Sequence, residues 1–247
     1  MSIENDAMQE ACPHKLQGGA EEKQNLKSAI RELIFGAEDG LVSILGLVTG
    51  VAAGTTSSQV VLLAGTAGAI SGAISMAAGN YLGVKSEIEV LQRQLHEEAQ
   101  SIKEHPEHER AELVEYYRQH GMTPEELKVC VSAVTRNPNF LMEEMAAHEY
   151  GISPKELKNP AWRAFWIFAA YILAAIFPVL PYAFFPHDFA LVVSIIGTVI
   201  TLFAVGAAKT IYTRLNPIKS GLEMLGIAAL AGIAGFVAGH FTAAYGM

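Results

Sequence analysis

The stretch FGAEDGLVSILGLVTG, residues 35–50, places two adjacent carboxylates, Glu38 and Asp39, at the start of an apolar, glycine-rich run. If a membrane helix began after Asp39, the run to Gly54 would be only about 22 Å long at 1.5 Å per residue. That is too short for a hydrocarbon core of about 30 Å, so the helix must also include residues 33–37. The sequence therefore predicts that Asp39 lies about two turns inside the first membrane helix.

The depth of Asp39 leaves two interpretations open. Either Glu38 and Asp39 reach water at a wet helix end, or Asp39 faces an aqueous or protein-lined pathway. A carboxylate inside a membrane is costly unless it is paired, hydrated or bound to a cation. No Lys or Arg lies near the centre of another span to pair with it. We favour the second interpretation, in which a mobile cation or a proton is the partner.

The composition indicates a membrane protein. The 247 residues are 51% hydrophobic and 17% charged, whereas charged residues make up about a quarter of an ordinary soluble domain. No alternating strand pattern is present, so the predicted fold is all-α. Five segments have the length and polarity of membrane-spanning helices: 33–54, 60–84, 162–184, 189–208 and 222–245.

A polar insert, residues 85–158, separates the second span from the third and contains fifteen Glu, no Asp and nine Lys or Arg. Its first part continues the second span without a helix breaker. Pro106 then begins a helix that ends near Gln119, Thr123 caps the next helix, and Pro138 begins the last. The predicted regions are 1–30, an N-terminal segment; 31–84, spans one and two; 85–158, a Glu-rich helical metal-binding domain; and 159–247, spans three to five.

Basic residues in the short loops predict the topology. They precede span one, flank the insert and lie between spans four and five, whereas the loops 55–59 and 183–188 contain none. The N-terminus and the insert are therefore expected in the cytoplasm and the C-terminus on the far side. No targeting extension is evident, which favours a bacterial inner membrane.

Several further side chains are candidate cation ligands. Met76 in span two offers a thioether, a soft donor that suits transition metals better than Mg²⁺ or Ca²⁺, although a membrane methionine is usually only filler. Glu223 at the start of span five is a weaker candidate for proton handling. In the insert, carboxylates recur every third residue at Glu109, Glu112 and Glu115, and like charges at this spacing repel unless a cation neutralises them.

The last helix of the insert combines three kinds of metal ligand. Met145 and Glu149 lie four residues apart, as do Glu144 and His148. Carboxylate, thioether and imidazole together suit Fe²⁺, Mn²⁺, Co²⁺ or Zn²⁺. A solvated acidic face remains the alternative interpretation of such Glu-rich helices.

Small-residue stripes occur in the first two spans, at Gly36 and Gly40, at Gly46, Gly50 and Gly54, at Gly68 and Gly72, and at Gly79 and Gly83. Such stripes allow helix backbones to approach closely. They are compatible both with packing inside one subunit and with a dimer interface.

The sequence resembles the vacuolar iron transporter family over about residues 28–245. The resemblance is carried by FGAEDGLVSILGLVTG, GAISMAAGNYLGVKSE, the Glu-rich insert, NPNFLMEEMAAHEYG and FPVLPY. It implies a homodimer with five membrane helices per subunit that exports Fe²⁺, and often Mn²⁺, Co²⁺ or Zn²⁺, from the cytosol in exchange for protons. It also implies a path lined by Asp39 and Met76, and metal capture in the insert by Glu98, Glu109, Glu112, Met145 and Glu149, with Glu115 as a neighbour.

Three positions depart from the family pattern. A glutamate expected in span two falls on Gly68, which would shift proton coupling to Glu38, Asp39 or Glu223. In the insert, this sequence has Ser101 where the family pattern has a second glutamate. It has Ala146 where the family pattern has the second methionine of a Met-Met pair. In the insert, Glu104, His105 or His148 could substitute for the missing ligands.

The main alternative is a membrane-anchored metal sensor or binding protein that transports nothing. An enzyme is not expected, because Ser75 and Ser194 lie deep in spans without a histidine positioned as a base. No prosthetic group is expected, and the only ligands are transported or bound divalent metals and protons. Nucleic acid is excluded as a partner by the lack of a basic stripe.

Overall fold

The computed structural model describes residues 20–150, 159–214 and 216–245, with side chains from residue 30 onward except at 150 and 212. Every regular element in these ranges is an α-helix, which confirms the all-α prediction. The helices are α1 (Ala20–Gly54), α2 (Ser58–Glu104), α3 (Pro106–Gln119), α4 (Pro124–Thr135), α5 (Pro138–Tyr150), α6 (Pro160–Val179), α7 (Pro181–Phe184), α8 (His187–Thr213) and α9 (Pro217–Ala244).

Five of these helices are long and apolar enough to cross a membrane, as predicted. The first candidate span begins at Ile30, so Asp39 lies nine residues, or about 14 Å, inside it. Span three was predicted to continue to residue 184, and that boundary is wrong. Helix α6 ends at Val179 because Pro181 has no N–H with which to continue the hydrogen-bond ladder, and the short α7 follows.

The chain divides into two compact units. The membrane unit comprises Gln24–Gly83 and Asn159–Met247, and the insert unit contains Val84–Lys158. Helix α2 contributes its first part to the membrane unit and its last part to the insert unit. Lys85 and the charged residues after it make this last part too polar for a hydrocarbon core.

The insert unit packs α3, α4 and α5 around an apolar core that includes Leu113, Val131 and Met145. The predicted helix limits are confirmed at Pro106, Gln119 and Pro138. Helix α4 begins with a capping box, in which the Thr123 hydroxyl accepts from the Glu126 N–H and the Glu126 carboxylate accepts from the Thr123 N–H.

Close backbone contacts hold α1 in the membrane unit. A Cβ at Gly36 would lie 2.6 Å from the Ile167 carbonyl oxygen of α6, and a Cβ at Gly40 would lie 2.5 Å from that of Tyr171. Further along α1, a Cβ at Gly235 of α9 would collide with the carbonyl oxygen of Gly46. These glycines are therefore used for packing within one chain, the first of the two interpretations given above.

Candidate metal-transport sites

Asp39 lies on α1 within the apolar part of the helix and is partly exposed, as is Glu38. The hydroxyl of Ser43, one turn further on, donates a hydrogen bond of 3.0 Å to Asp39 Oδ1. One carboxylate oxygen is thus held by the helix itself, while the side chain keeps access to its surroundings.

Met76 lies on α2, and its depth relative to Asp39 follows from two contacts between α1 and α2. Asn80 is hydrogen bonded to Glu32, and a Cβ at Gly68 would collide with Leu47. In an antiparallel pair each step forward on one helix is a step back on the other, so these contacts place Met76 opposite residues 36–39. Carboxylate and thioether therefore lie at one depth, with Met76 partly buried against the apolar core.

Tyr171 is a third polar side chain at this depth, and the sequence analysis missed it. It is only 3% exposed, its hydroxyl lies against Gly72 of α2, and it interacts with both Asp39 and Ser43. The available signal was a phenol in the middle of the apolar run of α6, because a buried tyrosine hydroxyl usually has a polar partner.

Glu32 was also missed, although it is only 2% exposed. Its carboxylate accepts hydrogen bonds from Arg163 of α6 and from Asn80 Nδ2 of α2, the latter at 3.0 Å. Nothing in the sequence near Glu32 identifies its partner, because Arg163 is 131 residues away whereas Arg31 is adjacent. Arg31 is in fact 73% exposed and touches Glu32 only at 3.5 Å.

Glu223 lies on α9 with an exposed side chain. Helices α1 and α9 run parallel, with Gly46 against Ala231 and Gly50 against Gly235, so Glu223 is at the depth of Glu38. The next residue, Met224, is the one that packs into the core, so Glu223 points away from it.

In the insert unit, Glu98 of α2 and Glu109 of α3 are both only 3% exposed. Among the described residues, Glu98 Oε1 and Glu109 Oε2 have no hydrogen-bond partner. The second oxygen of Glu109 accepts a hydrogen bond from Ser101, the residue that stands where the family pattern has a glutamate. Burial, followed by the charges of Glu149, Glu109 and Glu112, raises the pKa of Glu98 to about 8.

The other two candidates on α3, Glu112 and Glu115, are more exposed than Glu98 and Glu109. Glu112 is 38% exposed and 3.2 Å from His108 Nε2. Glu115 is 52% exposed and pairs with Arg118. Residues three apart on an α-helix are offset by about 60°, so Glu115 is rotated about 120° from Glu109. The predicted single acidic side therefore extends from Glu109 to Glu112 and excludes Glu115.

Helix α5 supplies both apolar and polar groups. Met145 is fully buried in the apolar core of the insert, and Glu149, one turn later, is exposed but close enough to Glu98 to raise its pKa. Glu144 accepts a hydrogen bond of 2.8 Å from the Tyr117 hydroxyl. Ala146, where the family pattern has a second methionine, is fully buried.

Of the three suggested substitutes, Glu104 and His148 have other side-chain contacts, and the His105 side chain makes no capping hydrogen bond. Glu104 accepts from Gln100 at 2.8 Å, His105 precedes α3 as its N-cap residue, and the ring of His148 lies 3.9 Å from that of Tyr116. Within the described ranges, no group of three or more His, Cys, Asp or Glu side chains is arranged to hold a metal ion. The insert thus presents a buried pair of carboxylates with a third and fourth at its edge.

This fold defines a helical integral membrane protein with an acidic helical insert. A model of the VIT family matches residues 30–240. The chain is 37% identical over 208 residues to vacuolar iron transporter 1 of Arabidopsis thaliana, covering 84% of this chain and 83% of that protein. It therefore belongs to the vacuolar iron transporter family, which confirms the resemblance.

Two further relatives extend the comparison. Vacuolar iron transporter 1 of Eucalyptus grandis is 36% identical over 88% of this chain and 92% of its own length. The vacuolar iron transporter of Plasmodium berghei is 28% identical over 92% of this chain and 86% of its own length. The names of these relatives support metal ion transport by this chain, and a transporter family is consistent with the expectation that it is not an enzyme.

Proposed function

We propose that this protein is a proton-coupled secondary transporter that exports Fe²⁺, together with Mn²⁺, Co²⁺ or Zn²⁺, from the cytosol. The observation that carries the proposal is the common depth of Asp39 and Met76 within the apolar helices. A carboxylate supplies charge for a divalent cation, and a thioether favours a transition metal over Mg²⁺ or Ca²⁺. The names of the relatives, vacuolar iron transporters, support the same choice of metal.

Proton coupling is assigned to the carboxylates of the membrane unit. The family glutamate is absent at Gly68, and a side chain there would require Leu47 to move, because an added Cβ would collide with the end of the Leu47 side chain. Asp39 is the best remaining carrier, since it lies deepest and is held by Ser43. Glu38 is its neighbour, and Glu223 is the weakest candidate because its side chain faces away from the core.

The insert is proposed to capture cytosolic metal. Glu98, Glu109, Glu112 and Glu149 form a group of like charges that a divalent cation would stabilise, and Met145 is the candidate soft ligand. Glu115 is the least suited, because its partner is Arg118. The N-terminus and insert would lie in the cytosol and the C-terminus on the far side, with two copies of the chain forming the transporter. Export has the same direction in a bacterial inner membrane, our expectation from the sequence, as in a vacuolar membrane.

The experiment is Fe²⁺ uptake into proteoliposomes under an imposed proton gradient. We expect gradient-dependent uptake by the wild type and a loss of at least about tenfold in Asp39→Ala. Asp188→Ala is the matched control, because Asp188 is an exposed carboxylate in the first turn of α8 and should leave uptake unchanged.

The alternative function, a membrane-anchored metal sensor, is favoured by the unpartnered carboxylate oxygens of the insert alone. It predicts metal binding by the full chain in detergent with no uptake by wild type or variant. Isothermal titration with Fe²⁺ or Mn²⁺, beside the uptake assay, separates the two functions. Binding without uptake would exclude the transporter.

A further inference from the structure

Glu32 is a buried carboxylate that the proposed transport mechanism does not use. Arg163, only 13% exposed, donates to Glu32 Oε1 from Nε at 3.0 Å and from a terminal nitrogen, and Asn80 donates to Oε2. Glu32 thus joins three helices, α1, α2 and α6, through one carboxylate. We call these three residues the Glu32 network.

The same three helices carry the residues around Asp39. On α1, Glu32 precedes Asp39 by seven residues, or about two turns, so both lie on one face. On α2, Asn80 is one turn from Met76. On α6, Arg163 precedes Tyr171, which interacts with Asp39, by eight residues. The network and the Asp39 group are therefore two layers of one three-helix contact, about two turns of α1 apart.

The contact between α1 and α6 has a regular register. Arg163 meets Glu32, Ile167 meets Gly36, and Tyr171 meets Gly40, each step being four residues on both helices. Glycine against a carbonyl permits close approach but specifies rotation and register weakly, because apolar helix surfaces gain little by preferring one another over lipid. Here two guanidinium donors of Arg163 converge on Glu32 Oε1 while Asn80 donates to Oε2, and these directional contacts together are met in only one arrangement of the three helices.

We propose that the Glu32 network is a positioning site for Asp39: it fixes the rotation and register of α1 against α2 and α6, so that Asp39 and Met76 face one another. The proposal rests on the transport function proposed above. It makes Glu32 and Arg163 positioning residues that act on the metal through Asp39.

The decisive variant removes both charges together, Glu32→Leu with Arg163→Met. Replacing a buried ion pair with apolar side chains of similar volume is often neutral or stabilising, so this protein should fold. We expect a thermal midpoint close to that of the wild type and a KM for Fe²⁺ raised about tenfold, with Vmax within about twofold. The single variant Arg163→Lys should have a KM between those of the wild type and the double variant. An ammonium keeps the charge but lacks the planar pair of donors of a guanidinium.

Arg31→Gln is the matched control. It removes a neighbouring positive charge that is largely exposed, and it should leave KM unchanged. A double apolar variant with the wild-type KM would overturn the proposal and leave the network with a purely stabilising role.

A second measurement tests register without transport. Leu47→Cys with Gly68→Cys, in a chain with Cys12 and Cys130 replaced by Ser, reports the α1–α2 contact on the opposite side of the Asp39 layer. We expect oxidant-induced disulfide formation, and a several-fold slower rate when the network is replaced by Leu and Met. Equal rates of disulfide formation with and without the network would overturn the proposal, even if the wild type transported no iron. A slower rate without the network, together with no iron uptake by the wild type, would overturn only the transport function.

Discussion

Glu32 in the membrane unit and Glu98 in the insert unit are buried to almost the same extent, 2% and 3% exposed. Glu32 faces a guanidinium and an amide, whereas Glu98 faces the carboxylates of Glu149, Glu109 and Glu112. The first carboxylate is satisfied by the protein, and the second has an oxygen without a partner among the described residues. Burial is therefore the same for a carboxylate paired within the protein and for a candidate ligand, and the charge of the neighbouring side chains is what differs.

The largest expected difference between the two sites is in protein stability when Glu32 or Glu98 is truncated to alanine. Glu32→Ala leaves the Arg163 guanidinium buried and unpaired, which should destabilise the protein by about 3–5 kcal/mol. Glu98→Ala instead removes a repelled carboxylate, so the metal-free protein should be as stable as the wild type or more so. Denaturant unfolding of the full chain in detergent measures both. Equal losses would show that the two sites do not differ as described.

The raised pKa of Glu98 should also make the stability of the metal-free protein depend on pH. The pKa of Glu98 is raised from 4.5 to about 8 in the folded protein, so the folded state holds more protons than the unfolded state between these values. Stability contributed by Glu98 is therefore fully present below about pH 4.5 and is lost as the pH rises through about 8. Thermal midpoints of metal-free protein between pH 5 and 9 should decline less in Glu98→Gln than in the wild type.

Two glutamates on α3 give the smallest and most specific test. Glu112→Gln should weaken Mn²⁺ binding by about tenfold, because Glu112 is close enough to Glu98 to raise its pKa. Glu115→Gln should change the affinity by less than about twofold, since Arg118 already holds that side chain. Titration of the full chain with Mn²⁺ measures both, and a loss in Glu115→Gln equal to that in Glu112→Gln would place Glu115 among the ligands.

Local signals predicted most of the fold. Pro106, Pro138 and the pairing of Thr123 with Glu126 act within one helical turn, so their consequences are readable from a few residues. The error at the end of span three came from treating an apolar run as one helix, although Pro181 interrupts its hydrogen bonds.

The candidate sites were less accessible from the sequence. The partner of Glu32 is 131 residues away, whereas the adjacent Arg31 is largely exposed and makes only a longer contact. The phenol of Tyr171 in an apolar run indicated a polar partner, but the partner could be identified only once α6 was placed beside α1. Asp39 was found because its position follows from the length of its own helix.

The glycine contacts between α1 and α9 have a mechanical consequence. At Gly46 and Gly235 the two backbones touch directly, with no side chain between them that could change rotamer. With no side chain at this point to adjust, any change in the spacing of α1 and α9 would have to be made by the backbones themselves. By contrast, a Cβ at Gly79 or Gly83 would meet nothing within 4 Å. The α1–α9 contact therefore has little room to adjust, whereas α2 has free space beside Gly79 and Gly83.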